Sequence, residues 1–320
     1  DRMSDYARQG LLSEHPNVEA VVDGWQARTA IDKRVFFDGP IQDMAGMTAK
    51  KCLIKADVAP THIDAIVGGT NTGPGYPSLA DHIKLQLGDQ ASSAMTFDVT
   101  EACSVGGISI MLGWNLIRSG FCQRVLVVCA EKATTLTIPD NWKESNLFGD
   151  ASFAVLLSAS EEEAFLFFEA DSLPFDDNIK QIYKKGDAGF CQNGRKVHRF
   201  VGSTVVRRLI GSVEQAGILP QDIDHWIPHQ PSGKTLDFLW HKVTGQVVGD
   251  FKENPNAAWH AFKGIYHRNV ETTGNTSGAS TGWVMSKAID DKIIKPGHVI
   301  VVSTFGAGLS IANYGLVHSP

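Results

Sequence analysis

Cys103 lies where the strand-like run Thr96-Phe97-Asp98-Val99 gives way to a helical pattern with apolar side chains at Ile108, Met111, Leu112, Leu116 and Ile117. A thiol at a helix N-terminus meets unpaired N–H groups and the positive end of the helix dipole, which favour the nucleophilic thiolate. The position suits a buried structural cysteine equally well, so the rest of the chain has to choose. Further polar side chains stand in DHWIPHQPSGK, with His229, and in ETTGNTSGAS, with Asn275 and Ser277. A lone histidine is commonly structural, and GNTS can be no more than a turn. A fourth segment, STFGAGLS at 303–310, puts two glycines after a core strand, which suits backbone N–H groups turned into a pocket. It is no dinucleotide fingerprint, because it follows the last helix.

An internal repeat places these residues in relation to one another. The segment Ala56–Asp64, ADVAPTHID, recurs as Ala216–Asp224, AGILPQDID, at an offset of 160; Arg124–Val128 recurs as His298–Val302 at an offset of 174. The first pair reads as helix end, turn and strand, and each member of the second follows an apolar helix closed by Gly120 or Gly297. Two similar βα halves follow, with an insertion near 241–270 in the second to account for the difference of 14 between the offsets. Gly69 then corresponds to His229 and Cys103 to Ser277, so the reactive side chains stand at the same ends of equivalent elements. Predicted strands at 64–69, 95–99, 124–129, 152–158, 223–228, 298–304 and 309–316 alternate with helices near 44–57, 78–87, 104–118, 203–217, 233–243 and 278–292. The fold class is α/β, with a five-layered arrangement of helices and sheets. Residues 1–165 form the half with the nucleophile, 166–202 a connection or an excursion over the active site, and 203–320 the second half.

Composition removes several function classes. A net charge of −6 leaves no basic footprint for nucleic acid, and no apolar run approaches the roughly 18 residues that cross a bilayer. Five cysteines at irregular spacing, with no CxxC pair, fit reduced thiols in a cytoplasmic enzyme. His241, His260 and His267 form no tight pair that would hold a metal.

The chain resembles the thiolase-fold condensing enzymes, and within them the β-ketoacyl-acyl carrier protein synthase III group. The resemblance rests on WQARTAID at 25–32, YPSLADHIKLQLG at 76–88, EACS around Cys103, LFGDASFAVLL at 147–157, DIDHWIPHQ at 222–230, GNTSGAS at 274–280 and FGAGLS at 305–310. It implies the thiolase fold and a Cys103–His229–Asn275 triad. Cys103 carries the acyl group, while His229 and Asn275 stabilise the enolate formed as a malonyl thioester loses carbon dioxide. The resemblance also implies an oxyanion hole from the N–H groups of Cys103 and Ala307, with Gly308 shaping the turn. Trp25 and Arg28 are expected to hold coenzyme A, and Phe148 and Ser277 to contact substrate. Tyr76 is expected to lie over the acyl pocket of a partner subunit in a homodimer, or else to be an ordinary core tyrosine. Acyl and malonyl thioesters of coenzyme A or acyl carrier protein are the implied substrates, with no resident cofactor.

Several departures qualify the resemblance. HQPSGK replaces the usual HQAN-Arg run after the histidine, which points to a different carrier-docking surface. Glu101, two residues before the nucleophile, is either a solvated charge or a carboxylate that acts on Cys103. The insertion falls between two triad residues and is expected to border the pocket or the dimer surface. Residues 1–20 read as helix and loop where the family opens on a strand, so either upstream residues are absent or the first half is remodelled. These departures favour condensation in a specialised lipid or polyketide pathway. The alternative is acyl transfer from the same acyl-Cys103 without carbon–carbon bond formation. Head-to-head joining of two acyl chains is disfavoured because residues 70–92 hold no glutamate, and a non-enzymatic subunit because no triad residue is lost.

Overall fold

The computed structural model describes residues 17–88, 93–137, 142–173, 182–184, 189–246 and 257–319. Helices α1 (Val18–Thr29) and α2 (Ile41–Ala56) precede a first sheet of β1 (Ala65–Gly69), β2 (Met95–Val99), β3 (Arg124–Lys132) and β4 (Asp150–Ser158). Between these strands run α3 (Leu79–Leu87), α4 (Val105–Arg118) and the single turn α5 (Trp142–Ser145). The strand order is β2-β1-β3-β4, with the first three parallel and β4 antiparallel to β3.

Strand β5 (Phe165–Ser172) opens the second sheet, and a small hairpin of β6 (Ile182–Lys184) and β7 (Phe190–Gln192) follows it. Helices α6 (Gly194–Phe200) and α7 (Val206–Gln215) are joined by a π-turn at Val201–Val205. Then come β8 (His225–Pro228), α8 (Gly233–Thr244), β9 (Ile265–Tyr266), α9 (Val270–Thr273), α10 (Ser280–Asp290), β10 (Val299–Gly306) and β11 (Ser310–Val317). The second sheet has the order β5-β11-β10-β8-β9.

Side-chain alternation along the strands produces five layers. On β3, Val125, Val127 and Cys129 face inward with Val105 and Ile110 of α4, whereas Leu126, Val128 and Ala130 face outward against α2 and α3. The second sheet repeats the pattern. Ile227, Ile300 and Val302 meet the same central layer, which also holds Val284, Met285 and Ala288 of α10, while Trp226 and Val301 face α7 and α8. The repeated aspartates tie each half together: Asp64 Oδ2 accepts the Gln123 and Arg124 N–H groups at 2.7 and 2.8 Å, and Asp224 Oδ2 accepts that of Val299 at 2.8 Å. Each bond fixes the first strand of a half to the start of the strand beside it.

Two regions differ from the sequence expectation. Residues 165–172, taken as the end of the first half and the start of a connection, form β5 and pair with β11 of the second sheet. The longer connection of the second half runs from α8 to β9; residues 247–256 of it lie outside the described residues. Its described part borders neither the nucleophile nor the cavity around it. Trp259 and Phe262 are buried against Trp226, Trp240 and Tyr266, between the second sheet and α8. Large aromatic area is worth more there than at a rim.

Candidate active site

The turn Ala102–Ser104 carries Cys103 between β2 and α4, and Ala102 adopts a left-handed φ of 45°. Gly306, at the end of β10, packs against it so closely that a Cβ would lie 2.6 Å from the Cys103 nitrogen. Only glycine permits that approach, which seats the Gly306–Gly308 turn of the second half beside the nucleophile of the first. Ala307 and Gly308 follow, with Gly308 at φ 103°.

Cys103, His229 and Asn275 line one cavity of about 380 Å³ together with Phe305 and Gly306. The exposed Arg28 and Lys234 and the half-buried Glu144 line it as well, so two cations and a carboxylate share its wall with the triad. Trp25, nearly buried, forms part of the wall. The HQPSGK departure has a local structural account. Ser232 caps α8 through the Thr235 N–H, and a Cβ on Gly233 would lie 2.4 Å from Ala30, so the glycine lets α8 meet the end of α1.

His229 is buried and its Nδ1 lies 2.8 Å from Ser280 Oγ; Phe305 packs edge-on against the ring at 5.3 Å. Burial without an anionic partner lowers its pKa to about 3, so the imidazole is neutral. Asn275 Oδ1 accepts the Ser277 N–H at 2.9 Å. That bond fixes the amide orientation and leaves its NH₂ group as the free donor.

The helix-terminal location of Cys103 does not produce a thiolate in the resting site. Burial, with the Glu131 charge adding to it, pushes the thiol up to about 12, against a smaller lowering by the Ser277 hydroxyl.

The carboxylate that acts on Cys103 is Glu131, not Glu101. Glu101 accepts a hydrogen bond from Ser172 at 3.2 Å and does not line the cavity. Glu131, at the end of β3, is fully buried and held up at about 7 by burial. Its oxygens receive the Asn71 N–H at 3.0 Å, the Asn71 Nδ2 group, the Thr72 hydroxyl at 3.0 Å and the Ser277 hydroxyl at 3.2 Å. The run RVLVVCAEK carried the signal: a charged residue closing an otherwise apolar core strand.

Two other expected residues sit elsewhere. Ser277 is 2% exposed and faces Glu131 and Cys103 rather than the cavity. Phe148 is buried behind the cavity wall, edge-on to Phe190, which does line it. Tyr76 is fully exposed and no core residue, in the segment before α3. His267, set aside as a metal ligand, instead joins an imidazole chain in which His225 lies 3.0 Å from His267 and 2.8 Å from His298.

Residues 97–173 match the family model for 3-oxoacyl-[acyl-carrier-protein] synthase III, and residues 264–316 match its C-terminal model. A β-ketoacyl-[acyl-carrier-protein] synthase III from Bacillus pumilus is 32% identical over 295 residues, covering 90% of this chain and 88% of that one. The chain belongs to the 3-oxoacyl-[acyl-carrier-protein] synthase III family. It is accordingly an acyltransferase of the condensing type. The synthase III of Aquifex aeolicus superposes with a TM-score of 0.81 at 24% identity, covering 92% of this chain and 91% of that one. The priming β-ketosynthase of the R1128 polyketide pathway also gives 0.81 at 24%, with 93% and 88% covered. Both place this synthase III family member in the thiolase-like fold. Among its described residues no helix is long and apolar enough to cross a membrane.

Proposed function

We propose that the protein condenses an acyl thioester with a malonyl thioester, with loss of carbon dioxide, through an acyl-Cys103 intermediate. The carrying observation is the state of the two other triad members. Asn275 has its carbonyl oxygen occupied and its NH₂ free, and His229 is neutral. Assigning Ser280 as the donor to Nδ1 puts the His229 proton on Nε2, and in this reading the site offers two N–H donors and no strong base. Two neutral donors stabilise an enolate oxygen better than they abstract a proton. Each is worth about 2.7–4 kcal/mol in the transition state.

The cycle begins when Cys103 attacks the acyl carbonyl, whose oxygen is received by the N–H groups of Cys103 and Ala307, with Gly308 shaping the turn. The malonyl group then decarboxylates against His229 and Asn275, and the enolate attacks acyl-Cys103. Trp25 and Arg28 would take the adenine and phosphate end of coenzyme A by stacking and charge. The substrates are thioesters of coenzyme A or acyl carrier protein, and the chemistry calls for no resident cofactor. Pro231 and Lys234 at the cavity, where the family has other residues, favour a specialised lipid or polyketide pathway.

The working unit in this reading is a homodimer. Tyr76 is wholly exposed, and the start of α3 beside it is bonded to Asp98 of β2, the edge strand of the first sheet. Association along that edge would carry Tyr76 over the cavity of the other subunit. The five free thiols fit a cytoplasmic setting.

Intact-protein mass spectrometry with a panel of acyl-CoAs, followed by malonyl-CoA or malonyl carrier, tests the chemistry. An acyl adduct on Cys103 that is discharged with release of carbon dioxide is the expected result. An adduct discharged to an alcohol or amine without carbon dioxide would replace condensation by simple acyl transfer.

A further inference from the structure

Glu131 is a buried acid that the proposed condensation does not use, yet one hydroxyl separates it from the nucleophile. Ser277 Oγ lies 3.8 Å from Cys103 Sγ and 3.2 Å from Glu131 Oε1. The proton count along this line has one solution when Glu131 is ionised. All four bonds to the carboxylate come from donors, and Thr72 Oγ1 already accepts the Lys132 N–H at 2.9 Å, so its own proton goes to Glu131. Ser277 has a single proton and gives it to Glu131 as well. The Cys103 S–H is then the only donor left for Ser277 Oγ. Asn71 holds the pair in register, since its Nδ2 group also bonds the Ala102 carbonyl, next to the nucleophile, at 2.8 Å.

We propose that Glu131 takes up the Cys103 proton through the Ser277 hydroxyl during acylation and returns it when condensation frees the thiolate. As the sulfur–carbon bond forms, the S–H proton passes to Ser277 Oγ while the Ser277 proton passes to Glu131 Oε1. The acyl–sulfur bond of the donor breaks, and its thiolate leaves and takes a proton from water. Glu131 stays protonated in the acyl-enzyme. When the enolate attacks, acyl-Cys103 expels its thiolate, and Glu131 gives its proton back along the same path. The cycle consumes one solvent proton per turnover, as decarboxylative condensation requires.

His229 is a poor substitute as base. Its Nδ1 is engaged with Ser280, Phe305 faces its ring, and burial holds its pKa at about 3, whereas Glu131 stands at about 7. Glu131 and Ser277 act as proton-positioning residues, with Cys103 remaining the group that touches substrate.

The cycle rests on the condensing reading, but the thiol-to-Glu131 transfer can be tested without any thioester. Alkylation of Cys103 by iodoacetamide, followed by intact mass, should rise through an inflection near pH 7 in the wild-type protein. Glu131→Gln should abolish the inflection and slow alkylation at pH 8 about 100-fold, the size of effect of a positioned general base. Ser277→Ala, which leaves the other three donors on Glu131, should do the same and decides the matter alone if Glu131→Gln fails to fold. The opposite sign overturns the proposal. The Glu131 charge by itself raises the thiol pKa, so a carboxylate without a relay role predicts faster alkylation in Glu131→Gln. Loss of the inflection with no acyl adduct from any acyl-CoA keeps the relay and removes the condensing reading. Acylation with a pH profile unchanged in both variants does the reverse.

Discussion

The two halves of the molecule build the same corner and furnish it differently. Each has a short turn leading into a central helix, with Cys103 in one turn and Ser277 in its counterpart; strand β2 leads into the first and the single-turn α9 into the second. Near the end of its core strand β3 the first half has Glu131, set among Asn71, Thr72 and Ser277. The offset of 174 makes Phe305 its counterpart, and Phe305 packs on His229. A carboxylate with its donors therefore stands beside the nucleophile, and an aromatic ring beside the imidazole. The first supports movement of a proton and the second keeps a donor neutral. At the strand ends the contrast is steric: a Cβ on Gly69 would lie 2.6 Å from Ser109 Oγ, so no histidine fits where the second half has His229.

The largest expected effect comes from removing the chemistry of the first half. Cys103→Ala should lose acyl adduct entirely and condensing turnover by at least roughly 1,000-fold, read by intact mass and carbon dioxide release. Asn275→Ala attacks the second half. Decarboxylation should fall about 100- to 1,000-fold while acylation of Cys103 stays within a few-fold, so a parallel loss of both steps would erase the division of labour.

A smaller effect is expected where the halves touch. Gly306→Ala sets a Cβ against the Cys103 nitrogen, and roughly 1–3 kcal/mol of stability should be lost in urea melts, with slower acylation. An unchanged melt would mean that the two turns are not in contact.

The smallest concerns pH. His267 titrates at about 4 in the fold against an ordinary 6.5, because burial and the neighbouring His225 disfavour its charged form. Below pH 6.5 the unfolded chain binds a proton there that the folded chain does not, so this contribution is full above 6.5 and is lost as pH falls towards 4. Glu131, held up at about 7, acts in the opposite direction over much of that interval. The test is therefore the difference between variants. His267→Gln should lose roughly 2–3 kcal/mol less than wild type between pH 7.5 and pH 4.5 in chemical denaturation.

Much of the architecture was legible in the chain because it depends on local pattern. The repeated Pro-x-x-Ile-Asp runs, the apolar strands and the helical faces each point to one element, and their order gives the layers. Strand β5 was not legible, since FLFFEADS follows the acidic run Glu161–Glu163 and resembles a tether until β11 is there to pair with it. Trp259 and Phe262 were missed for a related reason. An aromatic pair near a Gly- and Asn-rich stretch says nothing of which face it will cover.

Sequence alone determined the identities and order of the reactive residues: a cysteine before a helix, a histidine at a strand end, an asparagine just before the turn that matches the nucleophile's, and glycines where backbones must meet. The tertiary structure decided their states, because a protonation state depends on burial and on partners far along the chain. Ser277 and Glu131 are 146 residues apart yet bonded, and only that meeting gives the proton a path, just as burial raises the thiol.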